Sequence, residues 1–401
     1  MREVGRRGFL LGATGVGALA FLSRAAYANA YTDLRDQVFA IAGSKYAQSN
    51  SRLTNQKQYP SLTPSPTGPW NVTGASGWTS GFYPGSFWHL YEWSGNSNWK
   101  TIARSREAGI AGQRTNNTTH DLGFMLYDSF GQDYRLTGSS TARKYCVQAA
   151  ATLATRYNAT VGCIRSWGSI SDTTQFLVII DNMMNLELLL WGSKQSGGSA
   201  TWKTMAISHA MKTLENHVRS DGTTFHVVNY DQQTGAVISK YTAQGYSNSS
   251  TWTRGQAWAL YGFSIVYRET GDPTFLSGAR DTADAFLQGL GDLSLDPIPY
   301  WDFDAPASSL ADKDSSAGAI AASGLLELSS LETDSTRQAT YAAAAATILT
   351  KLASSDYLAS LSEGEALLEH GTSNHPANNY NTGTIYGDYF FLEALLKLGR
   401  L

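Results

Sequence analysis

One carboxyl in this chain sits where a carboxyl is expensive. Asp181 interrupts the apolar run Phe176-Leu177-Val178-Ile179-Ile180-Asp181-Asn182-Met183-Met184-Asn185-Leu186, and burying an ionised carboxylate is unfavourable unless it is paired or stays protonated. Desolvation raises its pKa, and a raised pKa is what a general acid working near neutral pH needs. A second carboxyl nearby raises it further by like-charge repulsion. Asp121, in Thr119-His120-Asp121-Leu122-Gly123-Phe124, is the natural second group. On the residues alone, Asp181 reads equally as a proton donor and as a structural carboxyl that caps a helix or pairs with a buried arginine.

Around this pair stand residues that could hold a ligand. His120 could orient a substrate or tune Asp121, although a histidine at a helix start is more often a cap or a core residue. Arg254, with Trp252 and Trp258 on the same segment, could clamp a carboxylate bidentately while the rings stack on a sugar; the alternative is an internal Arg–Asp pair, with Asp181 itself among the possible partners. The 11 tryptophans and 21 tyrosines fit sugar stacking, but composition alone favours a large helical core. The GxSxG elbow, the Walker loop, GxGxxG after a strand and HExxH are all missing. His370 and His375 lack a third ligand at metal spacing, so a reaction without metal or cofactor is expected.

Periodicity and capping signals predict twelve helices, over 31–49, 79–94, 97–115, 120–136, 138–157, 175–195, 198–219, 251–270, 272–291, 312–331, 333–355 and 381–399. Start cues include Ser97 before Trp99, Asp272 with Pro273, and Thr333-Asp334-Ser335. Segments 223–230 and 236–241 alternate around Asp231-Gln232-Gln233-Thr234-Gly235 and read as a β-hairpin, a lid or cleft wall on a helical scaffold. The chemistry-bearing residues fall near the starts of the even-numbered helices: Trp78, His120 and Asp121, Trp252 and Arg254, Asp312 to Ser315, Tyr386 and Asp388, with Asp181 placed inside the sixth. If helices alternate up and down, those N-termini meet at one end. That is an all-α double ring of six inner helices, apolar on nearly every side, and six outer ones with a solvated face.

The first 30 residues read as an export signal rather than as fold. Arg6-Arg7-Gly8-Phe9-Leu10, an apolar run to Leu22 and Ala28-Asn29-Ala30 resemble a twin-arginine signal, which predicts a mature chain from Tyr31 in the periplasm or outside the cell. The apolar run is shorter than the roughly 20 residues that span a bilayer, so stable membrane insertion is not expected. Residues 31–401 show no linker and read as one domain. A net charge of −3 and the lack of any Lys/Arg run argue against nucleic acid and anionic membranes. A monomer acting on a small ligand is expected. Cys146 and Cys163 leave two readings open, one disulfide or two separate buried thiols.

The ordered motifs Trp78-Thr79-Ser80-Gly81-Phe82-Tyr83-Pro84-Gly85, Thr119 to Phe124, Ile180 to Leu186, Gln244-Gly245-Tyr246-Ser247, Trp252-Thr253-Arg254-Gly255-Gln256-Ala257-Trp258, and Tyr300-Trp301-Asp302-Phe303-Asp304 followed by Asp314-Ser315-Ser316-Ala317 resemble those of the unsaturated glucuronyl hydrolases of glycoside hydrolase family 88. The resemblance covers residues 31–401. It implies an (α/α)6 barrel, Asp181 as acid/base, Asp121 as the second essential aspartate, and substrate contacts from Trp78, His226, Gln244, Arg254 and Trp258. It also implies an unsaturated oligosaccharide as substrate, with hydration of a C4=C5 double bond in place of the direct attack used by ordinary glycosidases. Ala243 replaces a histidine frequent in relatives, and Asn248-Ser249 a more acidic stretch; both bear on substrate preference. The rival readings are an unsaturated rhamnogalacturonyl hydrolase acting on pectin fragments, an inverting glycosidase on saturated substrates, and a non-catalytic sugar-binding protein.

Overall fold

A computed structural model describes residues 24–400. The Arg6-Arg7 motif and its apolar run lie outside the described residues, and Ala28-Asn29-Ala30 falls in the opening turns of the first helix.

Twelve helices form at the expected places. They are α1 (Arg24–Arg52), α2 (Phe82–Ser94), α3 (Ser97–Ile110), α4 (Gly123–Gly131 continuing as Gln132–Thr137), α5 (Ser140–Ala154), α6 (Asn182–Gly192), α7 (Ala200–Asn216), α8 (Thr253–Thr270), α9 (Pro273–Leu290), α10 (Ser315–Leu331), α11 (Ser335–Leu352) and α12 (Ile385–Leu398). Their starts are set by side chains that accept the first free amides. Asp272 accepts from Thr274 with Pro273 in the first turn, Asp334 from Thr336 and Arg337, and Asp314 from Ser316 and Ala317. At α3 the cap is Asn96, not the expected Ser97, because the Asn96 side chain reaches the Asn98 amide.

The even-numbered helices pack in sequence against one another, and α12 closes the circle on α2. The odd-numbered helices lie outside, α3 on α2, α5 on α4 and α6, α7 on α6, α9 on α8, and α11 on α10. This is the (α/α)6 barrel. Inner helices bury almost every residue, as Thr253 to Val266 of α8 show, so close backbone approach matters. A Cβ at Gly262 would sit 2.4 Å from Met183 Cβ on α6, and no larger residue fits there.

Two regions depart from the expected helices. Gly123–Gly131 is wound as a π-helix, and the Phe124 amide bonds the Asn185 side chain of α6 at 3.1 Å; such winding is frequent at functional sites. The expected helix 175–195 begins instead as a strand. The run Phe176 to Ile180 is rich in β-branched residues, which favour a strand once a partner exists. β5 (Leu177–Ile179) pairs with β6 (Val227–Tyr230), which pairs with β7 (Val237–Tyr241) to give a three-stranded antiparallel sheet. In chain order these follow β1 (Tyr59–Pro60) with β2 (Val72–Thr73) and β3 (Tyr157–Asn158) with β4 (Cys163–Ile164), two short ribbons. The predicted hairpin is therefore two-thirds of a sheet. Cys146 and Cys163 are both free and buried, which decides for two separate thiols.

Candidate active site

Asp181 is not inside helix α6 but at its N-cap, on the turn leaving β5. The sheet puts it there. Ile179 pairs with Val227, and the Ile180 amide donates to the His226 carbonyl at 3.0 Å, so the register that zips β5 to β6 delivers His226 to the next residue along. His226 Nε2 lies 3.8 Å from Asp181 Oδ2, and Asp181 Oδ2 itself has no hydrogen-bond partner. The Ala243 amide donates to His226 Nδ1 at 3.2 Å. Nδ1 is therefore the acceptor, Nε2 carries the proton, and that N–H faces the carboxyl. Burial pushes His226 down to about 3, so it is a neutral donor there.

Burial pushes the Asp181 carboxyl up to about 7, with Asp121 adding to the rise and Arg254 and the Trp258 indole opposing it. Its side chain keeps 17% of its surface exposed, so it is desolvated yet reachable. Asp121 is held on both oxygens. The Thr119 hydroxyl donates to Oδ2 and His120 Nε2 lies 3.2 Å from Oδ1. His120 is buried, and that burial lowers its pKa.

Arg254 resolves the choice between clamp and internal pair in favour of a pair, with Asp314 rather than Asp181 as partner, at 2.7 Å and with both side chains buried. Its guanidinium also donates to the Gln244 side chain at 2.7 Å, to the Thr372 carbonyl, and to the Ser373 carbonyl at 2.6 Å. It lies over Trp252 at 4.5 Å and Tyr386 at 5.3 Å. Trp252 in turn packs on His226, ring centres 4.3 Å apart. On the far wall, half-buried Trp78 tilts against Tyr386 at 5.0 Å and Phe124 at 5.6 Å, and Phe124 packs on Trp258 at 5.2 Å. All nine predicted residues thus fall in one chain of contacts and charge effects at the N-terminal mouth of the inner ring.

Asp314 and Tyr386 stand in the sequence among the chemistry-bearing residues at helix starts without a stated role at the site, and Thr119 and the carbonyls of Thr372 and Ser373 are not singled out there. Asp314 carried a signal, a cap followed by Ser315-Ser316; the carbonyls carried none, because any residue supplies one. Asp302, quoted only in a motif, accepts from the Tyr246 amide at 2.9 Å and the Ser250 hydroxyl at 2.7 Å and so holds the loop bearing Gln244. His370 bonds Asn381 at 2.7 Å and His375 lies 3.4 Å from Asp312.

Together these groups gather one poised carboxyl, a neutral imidazole donor, and aromatic faces suited to a ring-shaped ligand. No family model matches the chain. It is 42% identical over 327 residues to the unsaturated glucuronyl hydrolase of Formosa agariphila, covering 81% of this chain and 80% of that one. It is 33% identical over 325 residues to the unsaturated chondroitin disaccharide hydrolase of Streptococcus pyogenes, covering 80% of each. Among solved structures, an unsaturated glucuronyl hydrolase specific for heparin superposes with a TM-score of 0.84 at 36% identity, over 92% of this chain and 97% of that one.

Proposed function

Since the chain belongs to the unsaturated glucuronyl hydrolases, glycosidase-type enzymes that release a terminal 4,5-unsaturated uronic acid from lyase-generated oligosaccharides, we propose that Asp181 is the acid/base that hydrates the C4=C5 bond. The observation that carries the assignment is the Asp181 carboxyl itself: desolvated, pushed up to about 7, and without a hydrogen bond on Oδ2.

Protonated Asp181 gives its proton to C4 while a water adds at C5, and the same carboxylate takes the proton that water releases. The carboxyl ends as it began. The hemiketal formed at C5 opens and the uronic acid is released from its partner sugar. The His226 Nε2 proton faces the carboxylate left after proton transfer, and Asp121 opposes ionisation of Asp181 beforehand. Trp78 and Tyr386 supply a face for the sugar ring, and Arg254, already neutralised by Asp314, fixes Gln244 and Trp252. Trp258 closes the floor.

One of these relatives is named for chondroitin disaccharides and one solved structure for heparin, which supports a glucuronyl substrate over pectin fragments. The Arg6-Arg7 signal supports export, with action on lyase products outside the cytoplasm.

The test is the loss of ultraviolet absorbance when the enzyme meets unsaturated disaccharides of chondroitin, hyaluronan, heparin and pectin, because hydration destroys the conjugated double bond. Decay on a glucuronyl substrate, abolished in Asp181→Asn with binding retained, is the expected result. Decay that survives in Asp181→Asn would remove Asp181 from the role.

A further inference from the structure

The carbonyl of Asp121 accepts the first bond of α4, from the Met125 amide at 2.9 Å. A residue so placed is the N-cap, and an aspartate there ordinarily turns its carboxylate back onto the amide two or three residues on. Asp121 does not. One of its oxygens accepts from the Thr119 hydroxyl and the other faces His120 Nε2 at 3.2 Å, and no backbone amide among the described residues donates to either. The side chain keeps 13% of its surface exposed, so the carboxylate stays at the mouth of the inner ring.

The amide that would draw it inward is already taken. Phe124, three residues on from the cap, donates instead to Asn185 Oδ1 on α6 at 3.1 Å. Asn185 is wholly buried, and its Nδ2 has no hydrogen-bond partner. A buried donor left unmatched is unfavourable, and an apolar side chain of similar shape would avoid it. What asparagine supplies here and leucine cannot is the acceptor oxygen. The contact leaves no slack. A Cβ at Gly123 would stand 2.9 Å from Asn185 Cα and 2.7 Å from its Oδ1, so α4 and α6 meet at this point with no side chain between their backbones. Asn185 also lies one turn on from Asp181, which caps α6, and residues four apart share a helix face. The seam therefore joins the two helix ends that carry the two aspartates.

We infer that Asn185 is a positioning residue for the reaction: it caps α4 from the neighbouring helix and so leaves the Asp121 carboxylate free to act at the mouth of the ring. Without that oxygen the Phe124 amide becomes an orphan donor at a buried helix start. The acceptor that helix geometry then offers it is the carboxylate at the cap position, Asp121 itself. The inference rests on the part given above to the two aspartates, but the capping can be read without turnover.

Asn185→Leu keeps the approximate volume and removes the acceptor. In the whole protein labelled with 15N-phenylalanine, the Phe124 amide proton of this variant should move downfield as pH rises through the carboxylate range, because it bonds an ionising group. In the wild type it bonds a neutral amide oxygen and shows no such shift. The shift should vanish again when Asp121→Asn is added to Asn185→Leu. On the unsaturated disaccharide that the wild type turns over, kcat of Asn185→Leu should fall about a hundredfold, the order of a misplacement by about 1 Å. Asn185→Ala carries the same test if Asn185→Leu does not fold. A Phe124 amide that stays independent of pH in the folded variant overturns the proposal, whatever happens to kcat. A titrating amide with kcat unchanged upholds the cap and removes Asp121 from the mechanism instead.

Discussion

The backbone amide of Ala243 donates to Nδ1 of His226 at 3.2 Å, which leaves the proton on Nε2, the nitrogen that faces Asp181. Ala243→Pro removes this donor and leaves Nδ1 only the Thr242 hydroxyl at 3.4 Å, which can donate or accept, so the tautomer is no longer fixed. We expect kcat to fall about tenfold, the order of one lost positioning hydrogen bond at 1.4 kcal/mol. Ala243→Gly keeps the amide and retains activity. Equal kcat in the two variants would show that the tautomer is irrelevant.

Ala243 also bears on selectivity, since its side chain is exposed while its amide is engaged. Ala243→His keeps the amide bond and fills the space outside it. The expected outcome is a changed ratio of kcat/KM between chondroitin and heparin disaccharides; an unchanged ratio excludes this position from partner-sugar choice.

Asp181 makes stability depend on pH in a definite direction. Its folded pKa, about 7, lies above its ordinary 3.8, so the unfolded chain loses this proton first and the native state is progressively penalised as pH rises from 4 to 7. The penalty is constant above pH 7. Asp181→Asn should therefore match the wild type in Tm near pH 4 and exceed it by a widening margin up to pH 7, at up to about 1.4 kcal/mol per pH unit. Parallel Tm curves would mean that Asp181 is not desolvated as described.

Arg254 holds the Asp181 pKa down. Arg254→Met should move the alkaline limb of the kcat profile upward, if folding survives the loss of the buried pair. Removing the other partner, Asp314→Ala, strands a buried guanidinium and should destabilise the fold by about 3–5 kcal/mol, read as a fall in denaturant midpoint. A loss under about 1 kcal/mol would mean that the Thr372 and Ser373 carbonyls suffice.

Those carbonyls lie on a strap in which His370, Asn378 and Asn381, the non-glycine residues with positive φ among those described, cluster at 57°, 60° and 55°. Asn378→Gly should be neutral or slightly stabilising, whereas Asn378→Val should cost about 1–2 kcal/mol. Urea midpoints of the two variants separate strain from side-chain contacts.

Much of this was legible in order along the chain. Twelve helices are written as apolar periodicity with capping residues at their starts, and the even-numbered rhythm of polar residues follows from inner helices that can carry chemistry only at their ends. Asp181 was visible because a carboxyl in an apolar run is unfavourable unless something uses it, and Asp121 as the second carboxyl that would raise its pKa further. Residues 176–181 were misread as helix because a short apolar, β-branched run is ambiguous until its partner strand is known, and β6 lies nearly 50 residues away, at Val227–Tyr230.

The sequence by itself determined the twelve helices, the family and the kinds of side chain at the site, because these depend on local pattern. Only the tertiary structure decided which carboxylate Arg254 pairs with, which His226 nitrogen faces Asp181, and that Cys146 and Cys163 stay apart. Each of those is a distance between residues remote in the chain, set by strand register and helix packing.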